Sequence, residues 1–296
     1  MEQYHNQKAI NIIYYLEELV YLSRNLLSDL FLIHDLFINW YDILFFKVGI
    51  KNEIYIKFRK KYNVKNLYKI RNIEGYNEFW SNILTTNKHV SLRYIEKFKE
   101  EYSFLISDIK NNFIIDIGAN IGDTALCFAF YGAKHVYAIE PYPYSYKIAL
   151  KMIKNNNLNK SITIINAACG IHGVTAVNES YKNSGGSDLS HVKKTGLKIN
   201  VYSLSDLIKK VGACRNLLLK VDCEGCEYPL ILNSQSKVLK KFKRIQIEYH
   251  YGYRDLVKKL RAAGFDVHFT IPRLHFNKDA KNKVTVVGYI YAKHPE

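Results

Sequence analysis

Nothing in the first twenty residues has the basic-then-apolar layout and small-residue cleavage site of a secretory leader, so no export by that route is expected. No apolar run is clean enough to cross a bilayer either. The most apolar stretch, residues 26–50, is broken by Asp29, His34, Asp35 and Asp42. It reads as one or two amphipathic helices, for which peripheral membrane contact stays open. Five cysteines, an odd number at irregular spacing, do not make a disulfide framework. Internal repeats and low-complexity linkers are lacking as well. These absences together describe a soluble chain of the cytoplasm, with association to a membrane surface as the alternative.

Acidic residues are also scarce, 27 against 43 Lys and Arg, which leaves a net charge of +16. Such a balance invites nucleic acid, anionic lipid or acidic glycan as partner. The chain is also rich in Lys, Asn, Ile and Tyr, residues read from AT-rich codons, and genome bias accounts for much of the charge. Apolar and aromatic residues make up 48% of the 296, enough for a substantial core and too many for global disorder.

The pattern divides near residue 110. Residues 1–110 carry 16 basic and 13 acidic residues, so most of the excess charge lies downstream. Mixed three and four spacing of apolar residues predicts helices through residues 9–45, and again in "YNEFWSNILTT" and "SLRYIEKFKEEYSFLISD". "NEIYIKFRKKYNVKNLYKI" alternates apolar and polar around an Asn-containing turn, which predicts a hairpin. This N-terminal region offers substrate, membrane-surface or oligomer contacts, and nothing in it selects among them or gives an oligomeric state.

From residue 111 short apolar runs alternate with helical segments. "FIIDIG", "HVYAIEP", "SITIINAA", "NLLLKVD" and "FKRIQIEYH" read as strands, with helices between them. "FDVHFTI" and "KVTVVGYIYAK" close the chain as an antiparallel pair. Alternation of this kind predicts a doubly wound α/β sheet with helices on both faces. In such sheets ligands sit at the carboxyl ends of the strands.

"DIGANIGDT" follows the first of these strands and opens a helix. Gly118 and Gly122 permit a tight turn and close backbone approach, and the helix start supplies unpaired N–H donors. Asp116, at the strand end, would repel a pyrophosphate yet accept from an ammonium group. Glu140 ends the second strand, where a carboxylate accepts both hydroxyls of a ribose. A ligand with a ribose and a cationic amino-acid end is S-adenosyl-L-methionine rather than NAD.

"FIIDIGANIGDTALCFAFYGAKHVYAIEP", "IINAACG", "VYSLSDLI", "LLLKVDCEGCEYPLI" and "IQIEYH" together resemble the FkbM family of S-adenosylmethionine-dependent methyltransferases, over Asn112 to about Val267. The most specific element is Asp-x-Glu-Gly-x-Glu, matched by Asp222, Glu224, Gly225 and Glu227. The resemblance implies a class I methyltransferase (Rossmann-like) sheet with an antiparallel last strand. It also implies O-methylation of a hydroxyl on a sugar, glycan, lipid-linked compound or small metabolite, without fixing the acceptor. By position it implies that Asp116, Gly118, Asn120 and Gly122 cradle the methionine end and Glu140 the ribose. Asn166 or Ala167 would lie beside the adenine. Tyr142 and Tyr144 follow Glu140, with core packing as their more ordinary role.

Asp222 and Glu224 then stand at the carboxyl edge beside the glycine loop. Methyl transfer to oxygen needs the hydroxyl held in line with the methyl group, and a carboxylate or His to take its proton. Glu248 and His250, a Glu-x-His pair at the end of "FKRIQIEYH", face the same edge. Asp222, Glu224, Glu248 and His250 are therefore the expected catalytic set. Paired carboxylates can also hold a hard divalent ion, although no metal is assigned. Cys223 and Cys226 lack the second ligand pair that zinc requires, and they read as small buried fillers or a local disulfide.

"NESYKNSGGSDLSHVKKTG", with Ser184, Ser187 and His191, is a candidate lid at the carboxyl edge or else a solvated loop. "KVLKKFKR" precedes "IQIEYH" and so falls on the opposite edge. Arg254, Arg273 and His275 fall where they can reach an anionic acceptor. An RNA methyltransferase is the alternative reading, but the Asn-Pro-Pro-Tyr-type signature is missing and Tyr and Phe do not cluster with Lys or Arg. A non-catalytic binding protein on the same fold is a second alternative.

Overall fold

The computed structural model describes residues 32–47, 53–62, 68–71, 82–87, 93–94, 96, 98–177, 196–212, 217–276 and 284–295. The expected helices before residue 32, the candidate lid at 178–195 and Cys214 lie outside the described residues. The chain forms two compact units, Met1–Lys97 and Phe98–Glu296.

In the first unit, residues 32–36 are helical and α1 spans Trp40–Lys47. The expected hairpin is present: β1 (Ile54–Ile56) pairs antiparallel with β2 (Tyr68–Ile70). Alternation in β1 buries Ile54 and Ile56 and leaves Tyr55 exposed. With Leu36, Phe37, Ile43 and Phe58 they make a small core. Asp35 joins the unit by ion pairs to Lys61 and Arg93.

The second unit begins with two short helices, α2 (Phe98–Glu101) and α3 (Ser103–Ile106). Their periodicity grouped them with the N-terminal region, yet their apolar residues bury in the second unit. The Tyr102 ring meets Phe128 edge-on at 5.4 Å, and Leu105 is fully buried. Asp108, just beyond, pairs with Arg244 and Lys243, and Gln246 donates to the Glu101 carbonyl.

The remaining elements follow in chain order: β3 (Phe113–Ile117), α4 (Asp123–Phe130), β4 (His135–Ile139), α5 (Pro143–Asn155), β5 (Ile162–Ile165), β6 (Ala168–Cys169), β7 (Gly173–Val177), β8 (Leu197–Tyr202), α6 (Leu204–Val211), β9 (Leu217–Val221), α7 (Glu227–Leu232), α8 (Ser236–Leu239), β10 (Phe242–Tyr249), α9 (Arg254–Ala262), β11 (Asp266–Phe269), β12 (Arg273–Phe276) and β13 (Val284–Lys293). The main sheet runs β5-β4-β3-β9-β10-β13-β11, with β12 also on β13. β5, β4, β3, β9 and β10 are parallel, while β13 is antiparallel to β10 and to β11. The order reverses beside β3, where the chain leaves that strand for β4 on one side and later returns as β9 on the other. This is the strand order of class I methyltransferases.

β9 is buried at all five positions, as a central parallel strand requires. β3 and β10 flank it, and Ile115, Ile117, Leu217, Leu219, Ile245 and Ile247 share one core. Two features have no counterpart in the expected pattern. "SITIINAA" divides: β5 stays in the main sheet, whereas β6 leaves it to join β8 and β7 in a second, three-stranded sheet. β12 adds a further strand on β13.

Candidate active site

Asp116 ends β3 next to Lys220 of β9, the two being register partners. Both side chains are essentially inaccessible, and Lys220 Nζ lies 3.2 Å from Asp116 Oδ1 and 3.6 Å from Asp222 Oδ2. The same ammonium donates to the Gly118 carbonyl at 2.9 Å and the Ile117 carbonyl at 3.3 Å. Burial would lower the Lys220 pKa, but the charges of Asp116 and Asp222 outweigh it and raise it. A buried cation thus ties the glycine loop to the end of β9. Asp116 also accepts from Thr124 Oγ1 of α4 at 2.6 Å. Expected to receive a ligand ammonium, Asp116 instead lies beneath the loop at 0% exposure, its charge matched by a lysine of the same chain. The signal in the sequence was a single cation inside the apolar strand "NLLLKVD".

Gly118 adopts φ +76, and a Cβ there would stand 1.7 Å from the Asp222 carbonyl oxygen. The close approach of the neighbouring strand end therefore requires glycine here. Gly122 does the same for α5, where a Cβ would press on Ala149 Cβ at 3.0 Å. The loop amides are mostly used within the fold, since Gly118 and Ala119 donate to the Ile139 carbonyl and Thr124 to Asp123. Asn120, itself left-handed at φ 48, donates its N–H to Glu140 Oε2 at 2.9 Å.

Glu140 is 4% exposed, and its Oε1 accepts from the Tyr142 amide at 2.8 Å. Burial pushes its carboxyl up to about 7 against the pull of these two amides. Each oxygen keeps a second lone pair, so the group fits a vicinal diol such as a ribose. Asn166 clasps the turn beyond Glu140 by donating to the carbonyls of Glu140 and Pro141 at 2.8 and 3.0 Å. Ala167 is fully buried. Tyr142 packs in a small core with Ala168, Val177 and Ile199, the ordinary role considered for it.

The carboxylates emerge where β9 and β10 end side by side. Glu224 takes a left-handed backbone, φ 55, and Gly225 follows at φ 118. Cys223 and Cys226 are joined by a disulfide that brackets these two residues. Glu227, fully buried, accepts from the Gly225 amide at 2.8 Å and the His250 amide at 3.1 Å, and lies 2.9 Å from His250 Nδ1. His250 Nε2 points the other way, 3.2 Å from Glu224 Oε2 and 4.0 Å from Asp222 Oδ1. Burial alone would lower the His250 pKa, but the bond to Glu227 with the charges of Glu227, Glu224 and Asp222 lifts it to about 10. Glu248 is half-buried, and desolvation with the charges of Asp222, Glu101 and Glu224 pushes it up to about 8.

The structure thus brings Asp222, Glu224 and His250 together, with Glu248 in their field. Glu227 belongs to the recognised pattern, but its role as the carboxylate that orients His250 emerges only from the fold. One ligand atom each from Asp222, Glu224 and His250 lies within 4.8 Å of the others. Of the residues considered for an anionic acceptor, Arg254 is exposed at the start of α9 and Arg273 half-buried on β12. No described helix is long and apolar enough to cross a membrane.

A family model described as the methyltransferase FkbM domain matches residues 116–267, just over half of the chain. No curated protein matches significantly in sequence. Among solved structures, the chain is similar to a precorrin 8w decarboxylase of Methanobacterium thermoautotrophicum, 17% identical, covering 67% of this chain and 90% of that one at a TM-score of 0.38. It is also similar to a putative RNA methyltransferase of Pyrococcus horikoshii, 13% identical, covering 69% and 84% at 0.37. A precorrin-6y C5,15-methyltransferase of Geobacter metallireducens is 12% identical and covers 66% and 88% at 0.37.

Proposed function

The chain belongs to the FkbM methyltransferase family, and from that premise we propose that it is an S-adenosylmethionine-dependent O-methyltransferase whose acceptor is a hydroxyl on a sugar, a lipid-linked compound or a small metabolite. The observation that supports this reading is the convergence of Asp222 and Glu224 at the ends of β9 and β10, beside the loop that Lys220 ties to β9.

When bound, S-adenosylmethionine supplies an electrophilic methyl group: the acceptor oxygen bonds to its carbon, the carbon–sulfur bond breaks, and S-adenosylhomocysteine leaves. Glu140 accepts the ribose hydroxyls with the lone pairs its two amide donors leave open. The hydroxyl proton goes to a carboxylate of the pair, since the other two expected groups hold protons of their own. In the metal-free site His250, with its pKa lifted to about 10, is an imidazolium at neutral pH, and burial with the neighbouring negative charges raises Glu248, so that it holds a proton more tightly than an ordinary carboxylate. Proton acceptance therefore falls to Asp222 and Glu224, with His250 as the cation that stabilises them and Glu227 as its positioning residue. The basic run at 237–244 supports this reading over an RNA acceptor, because Lys243 and Arg244 pair with Asp108 at the opposite end of β10.

The test is incubation of native extracts with the protein and isotopically labelled methyl donor, followed by mass spectrometry for a small molecule or glycan that gains label. Asp222→Asn and Glu224→Gln are expected to lower kcat by about 10²–10⁴-fold while leaving S-adenosylhomocysteine binding within a few-fold. Label appearing in RNA, or no calorimetric binding of S-adenosylhomocysteine, would overturn the proposal.

A further inference from the structure

We propose that Asp222, Glu224 and His250 form a site for a divalent first-row transition ion, for which Mn²⁺ is the probe. The proposal rests on the O-methyltransferase reading for its purpose, which is to hold and polarise the acceptor hydroxyl. Its geometry stands independently. Oε2 of Glu224 and Oδ1 of Asp222 lie 3.2 and 4.0 Å from His250 Nε2. Ligands about 2.1 Å from one ion stand roughly 3.0–3.4 Å apart when adjacent and about 4.2 Å apart when opposite. Both distances to the imidazole fall within that span, and the three ligand atoms lie within 4.8 Å of one another.

The second observation is the histidine itself. His250 is 5% exposed, and its Nδ1 is engaged by Glu227, a carboxylate with no exposed surface. Glu227 is in turn held by the amides of Gly225 and His250. A carboxylate behind the imidazole is the arrangement that orients metal-binding histidines, because it fixes which nitrogen carries hydrogen and which presents its lone pair. The ring's aligned hydrogen bond among the described residues is at Nδ1, so Nε2 is the nitrogen aimed at Asp222 and Glu224, and an ion bound there takes the place of the Nε2 proton that the metal-free imidazolium carries. An acidic cluster alone would have no reason to contain a buried, oriented imidazole.

Two carboxylate oxygens and one imidazole nitrogen make a mixed set. Mg²⁺ and Ca²⁺ favour oxygen alone, whereas first-row transition ions take imidazole and carboxylate together, and Mn²⁺ is the member of that series that electron paramagnetic resonance reads directly. Three protein ligands leave positions open for water and for an acceptor oxygen.

The test is titration of the full chain, freed of metal with a chelator, with MnCl₂, following free Mn²⁺ by electron paramagnetic resonance. The expected result is one equivalent bound, weakened at least about tenfold in Glu224→Gln and in Asp222→Asn and unchanged in Asp206→Asn, a remote control. Circular dichroism confirms that each variant is folded. No binding up to millimolar Mn²⁺, or equal binding by the wild type and both site variants, overturns the proposal. S-adenosylhomocysteine calorimetry on the same samples separates the two readings. Donor binding without Mn²⁺ removes the cation site and leaves the methyltransferase reading, and Mn²⁺ binding without donor does the reverse.

Discussion

Lys220 shows how much of the site depends on one side chain. It is a buried ammonium between Asp116 and Asp222, and it also holds two loop carbonyls. Removing one partner of a buried ion pair leaves the other charge desolvated, which typically costs about 3–5 kcal/mol. Lys220→Met is therefore expected to lose stability on that scale in urea unfolding, and Lys220→Met with Asp116→Asn to regain part of it. Equal stability of the single variant and the wild type would show that the pair carries no such weight. The lysine was legible as an oddity in an apolar strand, but its partner was not, because Asp116 lies on a different strand and only the strand order brings the two together. For the same reason Asp116 read as a ligand contact. Glu140 carries a second prediction at this scale. Its folded-state carboxyl sits at about 7, above the ordinary 4.5, so the folded chain keeps a proton that the unfolded chain gives up. Its contribution to stability therefore falls as pH rises from the ordinary value through about 7. Donor affinity runs the opposite way, since the ionised form accepts both ribose hydroxyls. Between pH 6 and 8 the ionised fraction rises about tenfold, and S-adenosylhomocysteine affinity measured by calorimetry is expected to rise by about that factor. Glu140→Gln should bind more weakly and without the pH dependence.

At the scale of elements, α6 shows a local signal that needs no tertiary partner. Ser203 and Asp206 form a capping box: Ser203 Oγ accepts from the Asp206 amide at 3.2 Å, and the Asp206 carboxylate accepts from the Ser203 amide at 3.0 Å. The bond from the Ser203 hydroxyl is the largest of the influences that bring the Asp206 carboxyl down to about 2, with His172 contributing. Its stabilisation is thus present above the ordinary carboxylate value and lost as pH falls through about 2. Ser203→Ala is expected to cost about 1 kcal/mol at neutral pH, seen as a lower Tm, with the difference from wild type shrinking in acid. Elements of this kind, and strands with a clear apolar run, were legible because their period or cap lies within a few residues. β6 was not, since a two-residue strand has no period. β12 escaped because its pairing depends on β13 rather than on its own pattern. The loop between β9 and α7 was legible as Asp-x-Glu-Gly-x-Glu, but the sharing of labour within it was not. Glu227 turned inward to His250, while Glu224 took a left-handed backbone and stayed at the edge.

At the scale of the whole molecule, the alternation of strands and helices was enough to foresee the doubly wound sheet and its antiparallel strand, because each crossover admits few topologies. Where the second unit starts was harder to read. The change from helical periodicity to buried strands falls near residue 110, whereas the compact unit begins at Phe98. A surface helix has the same pattern whichever core it covers, so periodicity cannot assign α2 and α3 to one unit or the other. Their contacts can. Tyr102, Leu105 and Ile109 are 3%, 0% and 1% exposed, and Asp108 binds Arg244 and Lys243 at the start of β10. Each fully buried apolar side chain is worth about 1.5–3 kcal/mol, so the segment stabilises the sheet by several kcal/mol even after discounting for chain ordering. Two shortened chains follow from this. Residues 98–296 are expected to unfold cooperatively and to bind S-adenosylhomocysteine as the full chain does. Residues 111–296 keep the whole of the family match and every site residue, yet they expose the face that α2 and α3 cover. They are expected to melt at a markedly lower temperature or to aggregate on expression. Equal Tm values for the two would place the start of the folding unit at the family motif rather than at the packing.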